Sequence, residues 1–316
     1  MATRGATDRP LFSVSDARFL AELPWLWFVA WVLPERTWNR SGQLLERLKA
    51  RLGWFNPTPV AAMMARLLGC GSRSGDLSIQ WAAKRTECHL QVLHVLRPGT
   101  MAKPAVELVG IEHLRTALAQ GHGCLLWVAH FCFNSLAVKI ALAQAGQNLW
   151  HVSRPEHGFS KTRFGIAVLN PLRVAAERRY LAGRILIDRA NPGGAVVTAR
   201  RILEGGGVVS FTAGAWEGAR PVEVELLGAR LPLSTGAAGL SLQTGVPLLP
   251  VFATRDEGRA VRVEIGAPIC IPSDGTRDEK TIAMAQEFAD RTAPHIRRCP
   301  TEWRGWRNLK EPTEVS

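Results

Sequence analysis

The spacing of apolar and polar positions divides the chain into two stretches of different character. Up to about residue 100 the apolar residues recur at helical intervals. Leu44, Leu45, Leu48 and Leu52 line one side of a predicted helix over 41–56, with Arg47, Lys49 and Arg51 between them. Residues 59–70 and 79–96 give two more amphipathic helices, set apart by the breaker Asn56-Pro57-Thr58-Pro59 and closed by the turn Arg97-Pro98-Gly99. Beyond this the pattern alternates. A helix near 106–119 leads to a strand at 123–129, a helix at 135–145 and a strand at 149–152. After an arginine-rich stretch come a short strand at 185–187, a helix at 194–204 closed by three glycines, and a strand at 208–211. Residues 222–227 alternate apolar and acidic side chains as an edge strand does. A short helix at 236–244, a buried strand at 246–253, an alternating strand at 260–266 and a helix at 279–297 complete the series. The fold class this predicts is α/β, a mixed sheet flanked by helices. It has a helical N-terminal region over residues 1–100 and an α/β domain over 101–316.

The sharpest break lies between Gly123 and Ser135. The apolar run Cys124-Leu125-Leu126-Trp127-Val128-Ala129 stops at His130, and Leu136, Ile140 and Leu142 open a new helical pattern a few residues later. A histidine at the carboxyl end of a strand, just before a helix, lies where open α/β sheets carry their chemistry. Without further support such a residue reads as a core histidine. Cys132 reads as a buried thiol rather than a nucleophile, because no base and orienting group accompany it. Ser135 stands where a serine commonly caps a helix.

Composition narrows the partners. Lys and Arg number 39 against 27 Asp and Glu, a formal charge of +12 weighted towards arginine. That suits a phosphate-bearing partner or an anionic membrane surface. No zinc-ligand spacing, basic reading helix or aromatic-glycine signature points to nucleic acid, and none is expected as a partner. The six cysteines are scattered without a C-x-x-C pair, which predicts reduced thiols, with no metal site and no disulfide framework. Eleven tryptophans stand against one tyrosine. Three of them, Trp25, Trp27 and Trp31, fall in the apolar segment 23–33, ahead of Arg36, Arg40, Arg47 and Lys49. The segment is well short of the ~20 residues that span a bilayer. It reads either as a buried helix or as an interfacial anchor, with tryptophan at the wet edge of the membrane.

These features occur in an order that resembles the late acyltransferases of bacterial lipid A biosynthesis, within the lysophospholipid acyltransferase superfamily. His130-Phe131 matches the family's strand-to-helix histidine, and Ser153-Arg154-Pro155 its Arg-Pro signature after the next strand. Ile187-Asp188-Arg189, a helix and Glu204-Gly205-Gly206 resemble its arginine-helix-glycine block. The stretch from Gly218 through Thr235-Gly236 to 245–251 is similar to the part that closes the substrate groove. Cys299-Pro300-Thr301-Glu302-Trp303-Arg304-Gly305-Trp306-Arg307 is similar to the family's ending.

The resemblance implies transfer of a fatty acyl group from an acyl carrier protein or coenzyme A thioester to a hydroxyl of a lipid or glycolipid. The thioester is a co-substrate, and no cofactor is expected. His130 would act as general base. In the family an acid five positions on orients the imidazole; here that position holds Ser135, which can accept a hydrogen bond but carries no charge. Glu217, and less directly Glu156, are the nearby acids that could replace it. Arg154 and Arg189 are the candidates for an acceptor phosphate. The group of Arg173, Arg178, Arg179 and Arg184 reads as a solvated basic face or as a docking face for lipid headgroups or an acidic carrier. The expected location is the cytoplasmic face of the inner membrane, peripheral or monotopic, with membrane lipid as partner. The alternative is a catalytically inactive homologue that keeps the fold and serves as a lipid-binding or scaffolding partner.

Overall fold

A computed structural model describes residues 9–54, 58–69, 74–99, 105–188, 191–214, 221–255 and 260–310. Four helices come first: α1 (Val14–Val32), α2 (Trp38–Arg51), α3 (Thr58–Leu68) and α4 (Ser74–Val95). α1 opens with a capping box, in which Ser13 accepts from the Asp16 N–H and Asp16 accepts from the Ser13 N–H. The apolar segment 23–33 is therefore the second half of a longer helix, which continues through Pro24. The other three N-terminal helices all pack against α4, which also touches the C-terminal tail.

The chain then runs β1 (Val106–Val109), α5 (Ile111–Leu118), β2 (Cys124–Val128), α6 (Asn134–Gln144), β3 (Leu149–Ser153), α7 (Asn170–Arg178), β4 (Gly183–Leu186), α8 (Pro192–Glu204) and β5 (Val208–Thr212). A hairpin of β6 (Pro221–Leu226) and β7 (Ala229–Ser234) follows, then α9 (Gly236–Thr244), β8 (Leu248–Thr254), β9 (Val261–Ile265) and α10 (Arg277–Arg298). Seven strands form one sheet in the order β1-β9-β8-β2-β5-β3-β4. β8 and β9 pair antiparallel, and the other neighbours pair parallel.

β2 is the central strand and is buried along its whole length. Its pleat divides the core. Leu125 and Trp127 join the cluster under α8, α9, α10 and the hairpin, whereas Cys124, Leu126 and Val128 join the cluster under α5 and α6. An apolar run with no polar alternation is what a strand covered on both faces requires.

Three expectations need correction. The predicted helix at 106–119 is a strand, a break and a helix. Gly110 takes φ +76°, and a Cβ there would lie 2.0 Å from the Ile265 carbonyl oxygen, so only glycine makes this turn against β9. β1 finds its partner some 155 residues away, Val106 opposite Val261, and no local spacing reveals that. Residues 222–227 do form a strand, β6, but it pairs only with β7 and lies outside the main sheet. Pro232 inside β7 disguised its alternation. Finally, the arginine-rich stretch contains a helix, α7, entered through a wide turn at Gly165–Leu169.

Candidate active site

At the end of β2 the chain is still held by the sheet. Ala129 N–H donates to Val251 O (2.8 Å), and Ala213 N–H donates to Val128 O (2.8 Å). After Ala129 it leaves the sheet, and the C-terminal tail takes over the pairing. Cys132 N–H donates to Glu302 O (2.9 Å), Arg304 N–H donates to His130 O (2.9 Å), and Phe131 bridges Trp303 antiparallel. The Asn134 amide closes the loop by donating to Ala129 O (3.2 Å). α6 begins at Asn134, with Phe133 at the cap position and no capping side chain. The expectation that Ser135 caps this helix is thus wrong; Ser135 is its second residue, in the first turn, where a helix end favours negative charge.

His130 is half-buried, and its ring packs against the turn after β5. A Cβ on Gly214 would stand 2.2 Å from His130 Nδ1, so glycine is needed there. Burial, then the guanidiniums of Arg304 and Arg173, push the imidazole pKa down to about 4. At neutral pH the ring is uncharged and able to accept a proton. It lines an apolar pocket with Leu226, Leu231, Leu233, Phe288 and Trp303, formed between the hairpin and α10. The pocket holds about 20 Å³, room for one water.

Around Trp81, on α4, the site is cationic. The Trp81 indole N–H donates to Trp303 O (2.9 Å), while Arg304 and Arg307 lie over the ring at 4.6 and 5.1 Å from its centre. The Arg304 side chain donates to the main-chain oxygens of Trp81, Thr301 and Glu302. Arg85, exposed one turn beyond Trp81, adds its positive potential at both tail arginines. On the other side, Arg173 Nε donates to the buried Glu177 (3.1 Å), which also accepts from Lys139 (2.6 Å) and pairs with His157 (2.9 Å). These contacts hold the Glu177 carboxyl well below its ordinary range.

Among the sequence candidates, Arg154 follows β3 at the same carboxyl edge as His130. The two strands are separated only by β5, about 10 Å across two strand spacings. Arg189 and Glu217 lie outside the described residues. Glu156 is paired with Arg9. Burial pushes the Cys132 thiol well above its usual pKa, which disfavours the thiolate a nucleophile would need. Of the supposed basic face, Arg178 and Arg179 are exposed, whereas Arg184 donates to the Ser153 hydroxyl and Arg173 is engaged with Glu177. Arg85, Arg304 and Glu302 carried no assigned role in the sequence, and Arg173 was placed only on the basic face. The similarity of residues 299–307 to the family's ending was the one signal that pointed at the tail.

The tryptophans of α1 divide. Trp25 faces solvent together with Phe28 and Val32, and Leu44 and Leu48 of α2 and Leu52 just after it are likewise exposed. Trp27 and Trp31 instead pack edge to face within the helical core, with the Trp31 indole N–H donating to Leu93 O (2.9 Å). Among the described residues no helix is long and apolar enough to cross a membrane.

The site thus sets a neutral histidine at the carboxyl edge of a mostly parallel sheet, between a small apolar pocket and a cluster of guanidiniums, in an α/β protein. The chain belongs to the bacterial lipid A biosynthesis acyltransferase family, whose model matches residues 94–306. The match starts at the end of α4 and runs through the tail motif that holds the His130 loop. No curated protein matches the chain.

Proposed function

We propose that the protein transfers a fatty acyl group from an acyl carrier protein or coenzyme A thioester to a hydroxyl of a lipid or glycolipid acceptor, with His130 as general base. The observation that carries this reading is the neutral imidazole lining an apolar pocket beside Arg173 and Arg304. In the reaction the imidazole takes the hydroxyl proton as the oxygen attacks the thioester carbonyl. The tetrahedral intermediate collapses, the C–S bond breaks, and the imidazolium returns the proton to the departing thiolate.

A pKa near 4 makes His130 a weak base as it stands. An anionic headgroup set against the tail arginines would offset the Arg304 charge, which with burial and Arg173 suppresses protonation, and so lift the imidazole towards a useful range. Arg154, and Arg189 by its place in the sequence, extend that headgroup surface along the sheet edge. The acyl chain occupies the pocket once the β6–β7 hairpin moves outward, since 20 Å³ admits no alkyl chain. Trp25, Phe28 and Val32 rest in the interface of the inner membrane's cytoplasmic leaflet, and the exposed Arg178 and Arg179 meet its anionic lipids or the acidic carrier.

The test is acyl transfer in detergent from each thioester class to lysophospholipid and lipid A precursor acceptors. The parent should transfer slowly and His130→Ala not at all. Absence of transfer for every donor and acceptor would leave the lipid-binding or scaffolding reading in its place.

A further inference from the structure

The segment that carries His130 is not held by the sheet. It forms a short antiparallel ribbon with residues 302–304, so the place of the imidazole depends on the place of the tail. The tail in turn is pinned by a carboxylate. Glu302 is 1% exposed; one of its oxygens accepts the main-chain N–H of Arg255 at the end of β8 (2.9 Å), and the other lies 3.7 Å from Lys84 Nζ on α4. Lys84 and Arg255 share Glu87 at 3.2 and 3.0 Å, and Arg255 reaches on to Glu35 at 3.0 Å. Stability alone does not call for a buried ionic network here, since apolar side chains replacing the whole network are commonly as stable. We propose that Glu302 is a positioning residue of the site, whose ionised carboxylate fixes the tail ribbon and through it the His130 imidazole, so that turnover requires Glu302 in its charged form. The inference rests on the acyltransferase reading above.

The charged groups that face Glu302 are Lys84 and Glu87 from α4, Arg255 from the end of β8, and Arg304 from the tail itself. Burial is the largest influence and outweighs Lys84, so the Glu302 pKa rises to about 7. Glu302 also lines a polar cavity of about 250 Å³ with Lys84, Arg255 and Arg298, large enough to bring water to the carboxyl for proton exchange. In the free protein the histidines nearest the site do not supply the same dependence, because His130 and His89 are both pushed down and stay neutral around pH 7, and an inflection from His130 itself in the substrate complex would persist in Glu302→Gln.

The experiment follows kcat and KM from about pH 5.5 to 8.5 in the parent, Glu302→Gln, Glu302→Asp and His130→Ala. The parent's kcat should rise through an inflection near 7. Glu302→Gln keeps an acceptor for the Arg255 N–H but not the charge. It should fold and melt no lower than the parent at pH 8, lose the inflection, and drop kcat by about 10²-fold with KM little changed. Glu302→Asp should recover part of the rate and restore an inflection. A Gln variant that keeps the parent's rate and inflection overturns the inference. The second measurement needs no change at Glu302: the ring resonance of His130, assigned by its loss in His130→Ala, should move through a midpoint near 7 in the parent. A resonance flat across that range overturns the inference even where the variants fail to fold. A parent without turnover at any pH, or an active His130→Ala, would instead sink the acyltransferase reading, and the ring titration would still decide the role of Glu302.

Discussion

His130 stands among charges that oppose its own protonation, and the missing opposite charge lies one turn away. Ser135 occupies the first turn of α6, where the helix end favours a carboxylate. Ser135→Asp or Ser135→Glu should therefore raise the His130 pKa above 4 and increase kcat, measured by ring titration and by acyl transfer. If Glu217 serves as the partner acid instead, Glu217→Gln would be nearly as damaging as His130→Ala, and a new carboxylate at 135 would add little. A second expectation concerns Arg173. Its replacement in Arg173→Gln should also let the His130 pKa rise, because one of the two repelling guanidiniums is gone. The histidine was legible in the sequence because an uninterrupted buried strand stops at it. Its electrostatic setting was not, since Arg173 and Arg304 come from distant parts of the chain and meet His130 only in three dimensions.

At the scale of elements, α1 shows what periodicity reveals and what it hides. An apolar segment rich in tryptophan was visible, but the side of the helix that faces α4 is decided by packing. Trp25→Ser with Phe28→Ser should weaken sedimentation with anionic vesicles at low salt while leaving the melting temperature nearly unchanged. Trp31→Ser should act the other way. It removes buried ring area and the hydrogen bond to Leu93 O, costing about 2–4 kcal/mol of stability in denaturant titration with little direct effect on vesicle binding. α7 carries a different lesson. Its arginines suggested a solvated face, yet Glu177 among them is fully buried under Lys139, His157 and Arg173. Glu177→Gln leaves the buried Lys139 without its counter-charge and should cost about 3–5 kcal/mol. β1 and β7 escaped detection for a related reason: one is a short strand whose partner is remote, and the other is masked by an internal proline.

For the whole molecule, the alternation of strands and helices was enough to establish a mixed sheet behind a helical N-terminal region, and the observed strand order agrees with that class. What the sequence did not disclose is that the tail closes the structure by pairing with the His130 loop. Residues 302–304 and 130–132 are an extreme case of contact without local signal. Two buried carboxyls give the fold opposite pH dependences. Glu177 is held well below its unfolded value of 4.5, so its contribution is present above that pH and is lost as pH falls towards the folded value. Glu302 is raised to about 7, so the folded state binds the extra proton between 4.5 and 7, and stability declines as pH rises across that window. The histidines held below their ordinary pKa, His130, His89 and His151 among them, pull the other way and make stability rise with pH up to about 6.5, so the Glu302 contribution is read as a difference: the unfolding free energy of the parent relative to Glu302→Gln should fall as pH rises from 4.5 to 7.

The most direct test of the central claim is a single-turnover assay with a labelled acyl thioester and a phosphorylated glycolipid acceptor, comparing the parent with His130→Ala under saturating donor. The account predicts ester product and stoichiometric free thiol from the parent, with neither from the variant although it folds. Equal product from both proteins, or none from the parent, would contradict it.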